Sequence, residues 1–240
     1  MSNERSVSES IGRDVGSNGT QAARSEAAVA KALEAALYLF SRQGYGATSM
    51  RQISESSGLS LGNLYHHFPN KESIFQRLLD RYWEQLLDPD NPLQQLFSRA
   101  RFPDDLEEMA AAIEDRVDTH SEYIMLIFID VIECRGQHIR FFYESMAERF
   151  REVYQQSFER RRAEGTLGDV DPLVAVMLAT RWLFYYFTVE KCFGVPMHFG
   201  MDSSQAVDEF IRILRHGVLP RNPPVGATSG EENEIRRRTI

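Results

Sequence analysis

The stretch from Thr48 to Lys71 concentrates side chains suited to recognition rather than reaction. Leu61, Gly62, Asn63, Tyr65 and His66 fall within six residues of one another. An asparagine amide can pair with a base edge, tyrosine and histidine can donate to phosphate, and leucine can contact a thymine methyl. Their spacing suits a short helix over 61–67 that follows another over 49–56. On these helices Ile53, Leu59, Leu64 and Phe68 turn inward, and Leu61, Gly62, Asn63, Tyr65 and His66 stay outward. Gly58 between them permits the sharp turn that a helix-turn-helix needs. A helix this short makes a poor strut, so its value lies in the face it presents.

The elements that must position this face are helical. Val29, Ala32, Leu33, Ala36, Leu37 and Phe40 recur at helical spacing and predict a first helix over 26–43, with Ser25 as cap and Gly44 as terminator. Ser49-Met50-Arg51-Gln52 matches a capping box. Ser60 caps the third helix, Pro69 stops it, and Asn70 opens a fourth that runs to 87 with Ile74, Phe75, Leu78, Leu79 and Tyr82 inward. Asp88-Pro89-Asp90-Asn91-Pro92 is a strong break. Beyond it, helices are expected over 93–100, 104–119, 121–134, 138–164, 172–192 and 203–216. Asp104 with Glu107, Asp171 before Pro172, and Asp202 with Gln205 mark starts. No alternating strand pattern or internal repeat occurs.

The expected fold is therefore all-α: an N-terminal three-helix helix-turn-helix domain followed by a larger helical domain. The divisions expected are a disordered arm over 1–24, the helix-turn-helix domain over 25–87, the larger domain over 88–219 and a flexible tail over 220–240. The arm is rich in Ser and Gly, and the tail holds prolines and the run Arg236-Arg237-Arg238.

Apolar residues make up 42% of the 240, enough for a core, and the formal net charge is -8. A chain whose whole surface gripped phosphate would be basic, so any nucleic-acid contact must be local. Charges over 25–87 nearly cancel, which predicts a shallow salt dependence from about three to five phosphate contacts per subunit. Cys134 and Cys192 form no paired framework and read as reduced thiols in a cytoplasmic protein. The start Met-Ser-Asn-Glu-Arg lacks the apolar segment of a secretory signal. No apolar run is expected to span a membrane, the longest being Tyr123 to Ile132, broken by Asp130.

The run GYGATSMRQISESSGLSLGNLYHHFPNKESIFQRLL resembles the DNA-binding domain of the TetR family of bacterial regulators. The resemblance rests on the aromatic after Gly44, on Thr48, Ile53, Gly58 and Ser60, on Leu64-Tyr65 and His67-Phe68, and on Lys71-Glu72. It covers about residues 25–85; the remainder is similar in length and helical character alone. It implies that the helix from Ser60 to His67 enters the major groove. Tyr65, His67 and Lys71 would contact phosphates, and Thr48 and Arg51 would approach from the second helix. Leu61, Gly62, Asn63 and His66 would set sequence preference. Asn63 stands where the family often has Thr, which puts the operator sequence in doubt.

The resemblance also implies an effector cavity in the larger domain. Candidate lining residues are Phe128, Asp130, Glu133, Phe142, Met146, Phe150, Trp182, Tyr185 and Tyr186, although the aromatics read equally as core. Asp130 and Glu133 sit on an otherwise apolar helix, where a buried carboxylate needs a partner such as a cationic ligand, Arg135, Arg140 or Arg181. Family members pair their last two helices with a two-fold mate. That assigns the dimer interface to Leu173, Val176, Met177, Thr180 and Phe184 with Val207, Phe210, Ile211 and Leu214. A dimer holds two recognition helices about 34–36 Å apart on a palindrome.

Cys134 and His138 are four apart and could share a helix face, but two ligands do not close a metal site. No nucleophile elbow, phosphate-cradling glycine loop, HExxH or catalytic carboxylate pair occurs. No enzyme, metal or cofactor is expected. The expected function is a ligand-responsive regulator of transcription, a repressor that a small molecule releases from double-stranded DNA. The alternatives are a regulator that activates on binding ligand and a helical small-molecule binder without DNA function.

Overall fold

The computed structural model describes residues 14–218. Among these there are ten α-helices, one π-helical turn and no strand. The helices are α1 (Asp14–Gln43), α2 (Met50–Ser57), α3 (Leu61–His67), α4 (Lys71–Leu87), α5 (Pro92–Ser98), α6 (Leu106–Thr119), α7 (Ser121–Glu133), α8 (Arg140–Ala163), α9 (Pro172–Phe187) and α10 (Ser203–Val218), with the π turn at Thr188–Cys192. The arm expected over 1–24 is corrected from Asp14 onward, where α1 already runs. Residues 1–13 and the tail expected over 220–240 lie outside the described residues.

Two compact units result. The first holds the chain up to Gln85 together with Glu122–Arg140, and the second holds Leu86–Ser121 and the chain from Phe141. The segment 122–140, assigned from sequence to the larger domain, is thus part of the first unit. Its core joins Ala32, Leu33, Ala36 and Phe40 of α1, Ile53 of α2, Leu64 of α3, and Ile74, Phe75, Leu78 and Leu79 of α4 to Leu126 and Ile129 of α7. The reason is the sequence of α7, whose apolar residues need a partner surface beyond what α1–α4 bury among themselves. Phe75 sits at the centre, edge-on to Phe40 at 5.4 Å and to Tyr45 at 5.1 Å. Truncating such a ring costs about 3–5 kcal/mol.

In the second unit Asn91 caps α5, Asp171 caps α9 with Pro172 at its first position, and Asp202 accepts the Gln205 amide at the start of α10. Asp104, expected to open α6, instead pairs with Arg161, and Asp105 takes the cap position without a capping bond. Phe150, Tyr154 and Phe158 of α8 stack at 6.1 and 5.2 Å. Trp182 of α9 lies flat on Phe210 of α10 at 3.8 Å.

Helix α9 packs against α6 and α10, and this decides which of its faces is free. The band expected to form a dimer faces outward only in part. Val176 is 0% exposed, and Thr180 is buried with its hydroxyl donating to the Val176 carbonyl at 2.8 Å. Ile211 and Leu214 of α10 are buried as well, and Phe210 is engaged by Trp182. Leu173, Met177, Phe184 and Val207 are half-buried. The outward stripe is Val174, Leu178, Arg181 and Tyr185, joined by Ile213 on α10. A second correction concerns apolar length. The stretch Pro172–Cys192 has 21 residues and is long and apolar enough to cross a membrane, and half of it is buried.

Candidate nucleic-acid interface

Three local devices build the recognition face. Ser49 caps α2 in a reciprocal capping box with Gln52, which satisfies two backbone amides that the helix start leaves open. Gly58 adopts φ +69°, a left-handed conformation that turns the chain between α2 and α3. The Ser60 hydroxyl then accepts the Asn63 amide at 3.2 Å and starts α3. Leu64 and Phe68 are buried and Leu59 half-buried, so α3 is anchored by one side. Ser60, Leu61, Gly62, Asn63, Tyr65 and His66 are exposed on the other, as their types suggested, and His67 is half-buried. The His66 and His67 rings meet edge-on at 5.1 Å. A side chain added at Gly62 would meet nothing within 4 Å, so the chain's own packing does not require glycine there.

Arg51 is exposed on α2 and pairs with Glu55 at 2.9 Å. An exposed pair of this kind holds by under about 1 kcal/mol, so the guanidinium is free to exchange partners. Two other residues expected at the interface are engaged within the fold. Thr48 is 2% exposed, and its hydroxyl donates to the Gly44 carbonyl at 2.8 Å while the Gln43 side chain donates to it. Lys71 sends its ammonium to the carbonyls of Tyr45 at 2.6 Å and Thr48 at 2.7 Å and covers the Tyr45 ring. Burial lowers its pKa, against the opposing pull of Glu133 and Cys134. Two of its three donors are thus spent on the α1–α2 loop.

That loop is also held by a residue that no local pattern singles out for this role. The Glu133 carboxylate, at the end of α7, accepts the backbone amides of Tyr45 at 3.2 Å and Gly46 at 2.5 Å. Gly44 makes room, because a Cβ there would stand 2.6 Å from Glu133 Oε1 and its φ is +87°. Glu133 was a ligand candidate on sequence grounds; here its oxygens serve the loop. Asp130, the other carboxylate candidate, is 0% exposed. Its Oδ2 accepts the amides of His138 and Ile139, and its Oδ1 lies 2.5 Å from His138 Nδ1. These partners stand where a cationic ligand or an arginine was expected.

Trp182 and Tyr186 stack on each other at 4.9 Å, and the Tyr186 hydroxyl donates to Glu190. Tyr185 faces outward. Phe150 belongs to the α8 stack beside Phe97, and Phe142 meets Tyr143 edge-on. Met146 and Phe128 are half-buried.

Comparison with known proteins matches this arrangement. The family of bacterial regulatory proteins called tetR matches residues 32–78. The transcriptional repressor KstR2 of Rhodococcus jostii is 30% identical over 155 residues, which is 63% of this chain and 72% of that protein. The uncharacterized transcriptional regulator YfiR of Bacillus subtilis is 28% identical over 152 residues, 61% of this chain and 71% of that one. Among solved structures, a TetR family regulator from Marinobacter aquaeolei superposes with a TM-score of 0.59 at 16% identity, covering 82% of this chain and 98% of that one. At that identity the likeness speaks to the fold.

Proposed function

Because the chain belongs to the TetR family of bacterial transcriptional regulators, we propose that it is a repressor that a small molecule releases from a palindromic operator. The observation that carries this reading is the outward face of α3: Leu61, Gly62, Asn63, Tyr65 and His66 are exposed while Leu64 and Phe68 anchor the helix from behind. In the major groove this face supplies an amide for a base edge, two hydrogen-bonding rings for phosphate and an aliphatic tip. Arg51 and His67 add backbone contacts. Lys71 and Thr48 contribute indirectly, by holding the loop that sets the position of α2. The name of the relative KstR2 favours repression over activation.

The chain works as a homodimer on this reading, joined through the outward stripe of α9 and α10 rather than through their buried bands. Its effector binds in the second unit. The coupling runs along the chain itself, since α4 and α7 each have residues in both units. Ligand must bind one state more tightly, by roughly 1–3 kcal/mol, to shift operator affinity about 5–150-fold. Such a regulator acts on DNA in the cytoplasm and needs no catalytic centre.

The test is selection of bound fragments from random and genomic DNA, with a variant carrying Asn63→Ala and Tyr65→Ala as control. Enrichment of a palindrome that the control loses is the expected result. A folded dimer that enriches nothing would leave a helical ligand binder as the better reading.

A further inference from the structure

Helix α7 ends in an unusual way. Arg135 and Gly136 take φ of +57° and +70°, so the chain reverses after Cys134 and brings His138 back over the last turn. The side chains of Asp130, Cys134 and His138 converge there. One oxygen, one sulfur and one ring nitrogen lie within 4.8 Å of one another, and Asp130 and His138 are 0% and 5% exposed at their side chains. The sequence pairs Cys134 with His138; the fold adds Asp130 as a third donor.

We propose that Asp130, Cys134 and His138 form a binding site for a borderline divalent cation of the zinc class. Thiolate, imidazole and carboxylate together are a donor set that suits zinc and cobalt(II), and three protein ligands leave a fourth position open. Two of the ligands are already oriented by a second group. Asp130 Oδ2 is fixed by the amides of His138 and Ile139, which leaves Oδ1 for the ion. His138 Nε2 is buried without a hydrogen-bond partner and lies 3.6 Å from Glu72 Oε1. Glu72 is in turn held by the Gln137 amide at 3.1 Å. A histidine that binds metal through Nδ1 carries its proton on Nε2 and donates it to such a carboxylate. Burial, and after it the charges of Asp130, Glu133 and Glu72, raise the pKa of the Cys134 thiol, so the free site holds its proton.

Binding replaces the Nδ1 to Oδ1 hydrogen bond. The imidazole binds as its Nε2–H form and the thiol gives its proton to solvent. The Nδ1 to Oδ1 separation must open from 2.5 Å to roughly 3.2 Å, the spacing of ligands around a tetrahedral ion. That movement is made next to Glu133, whose carboxylate holds the α1–α2 loop.

The experiment is titration of the full chain, freed of metal with a chelator, with zinc and with cobalt(II). One equivalent should bind, and cobalt should show thiolate charge-transfer absorption with tetrahedral ligand-field bands. Cys134→Ala leaves the Asp130–His138 contact in place, so it tests the ligand without removing the turn; it should abolish the charge-transfer band. Cys192→Ala should change nothing. Glu72→Gln should weaken binding about 10–100-fold with the band retained. Failure of stoichiometric zinc to bind, or a cobalt band that survives Cys134→Ala, overturns the site.

Discussion

Glu133 and Gly46 are 87 residues apart in sequence, and the carboxylate of one accepts the backbone amide of the other at 2.5 Å. The end of α7 therefore holds the loop from which α2 and the recognition helix depart. Lys71 holds the same loop from its carbonyl side. The two side chains grip opposite ends of the peptide dipoles of one short segment.

Removing this grip should loosen the loop more than the fold. Glu133→Gln leaves a neutral acceptor in place of a charged one, a loss of roughly 1 kcal/mol for an exposed group. Hydrogen exchange at the Tyr45 and Gly46 amides should quicken about fivefold while the melting temperature stays nearly constant. Unchanged exchange at both amides would mean that the contact contributes no stability.

Gly62 separates packing from recognition. Alanine there meets no neighbour and raises helix propensity, so Gly62→Ala should stabilise the chain by up to about 1 kcal/mol. If the backbone of α3 approaches DNA closely, the same change lowers operator affinity. Calorimetry and fluorescence anisotropy on the selected operator measure the two effects. A more stable variant with full affinity places Gly62 away from the DNA.

The two faces of α9 should respond in opposite ways to charge. Leu178 is 54% exposed, so Leu178→Glu should leave a folded monomer with weakened operator binding. Val176→Glu places a carboxylate in a filled core and should cost several kcal/mol, abolishing folded protein. Sedimentation with circular dichroism distinguishes these outcomes. A Leu178→Glu dimer would move the interface to another surface.

Cys192 gives the fold an alkaline limit. Burial, with Asp118 nearby, pushes its thiol from the usual 9.0 up to about 11. The folded state then keeps the proton after the unfolded chain has lost it. Stability from this group is full below pH about 9 and falls as pH rises toward about 11. Cys192→Ala should flatten that part of the urea-midpoint profile, and alkylation of the wild-type thiol should stay slow at pH 8. A profile identical in both proteins would show that the thiol does not sense the fold.

Much of the first unit was legible before any coordinates. The capping box at Ser49, the turn at Gly58, the cap at Ser60 and the inward set Ile53, Leu64 and Phe68 all depend on residues three or four apart. Local periodicity reports such spacings directly. Spacing says nothing of the partners that Thr48 and Lys71 take within the fold. A threonine or lysine beside a recognition helix has the same type whether it meets phosphate or carbonyl, and only its neighbours decide. Asp130 and Glu133 stand out as polar residues in an apolar run, but the fold gives them backbone amides in place of the cationic ligand or arginine expected.

What the sequence determined by itself was the all-α character, the order of the short helices and the side chains that α3 presents. These follow from backbone propensity, capping and periodicity, which act over a few residues. The tertiary structure alone decided three things: that 122–140 joins the first unit, that Glu133 grips the α1–α2 loop, and which side of α9 faces outward. Helix α9 is apolar nearly all round, so no stripe in its sequence marks a buried face. The packing of α6 and α10 against it selects one, and leaves Val174, Leu178 and Tyr185 on the surface.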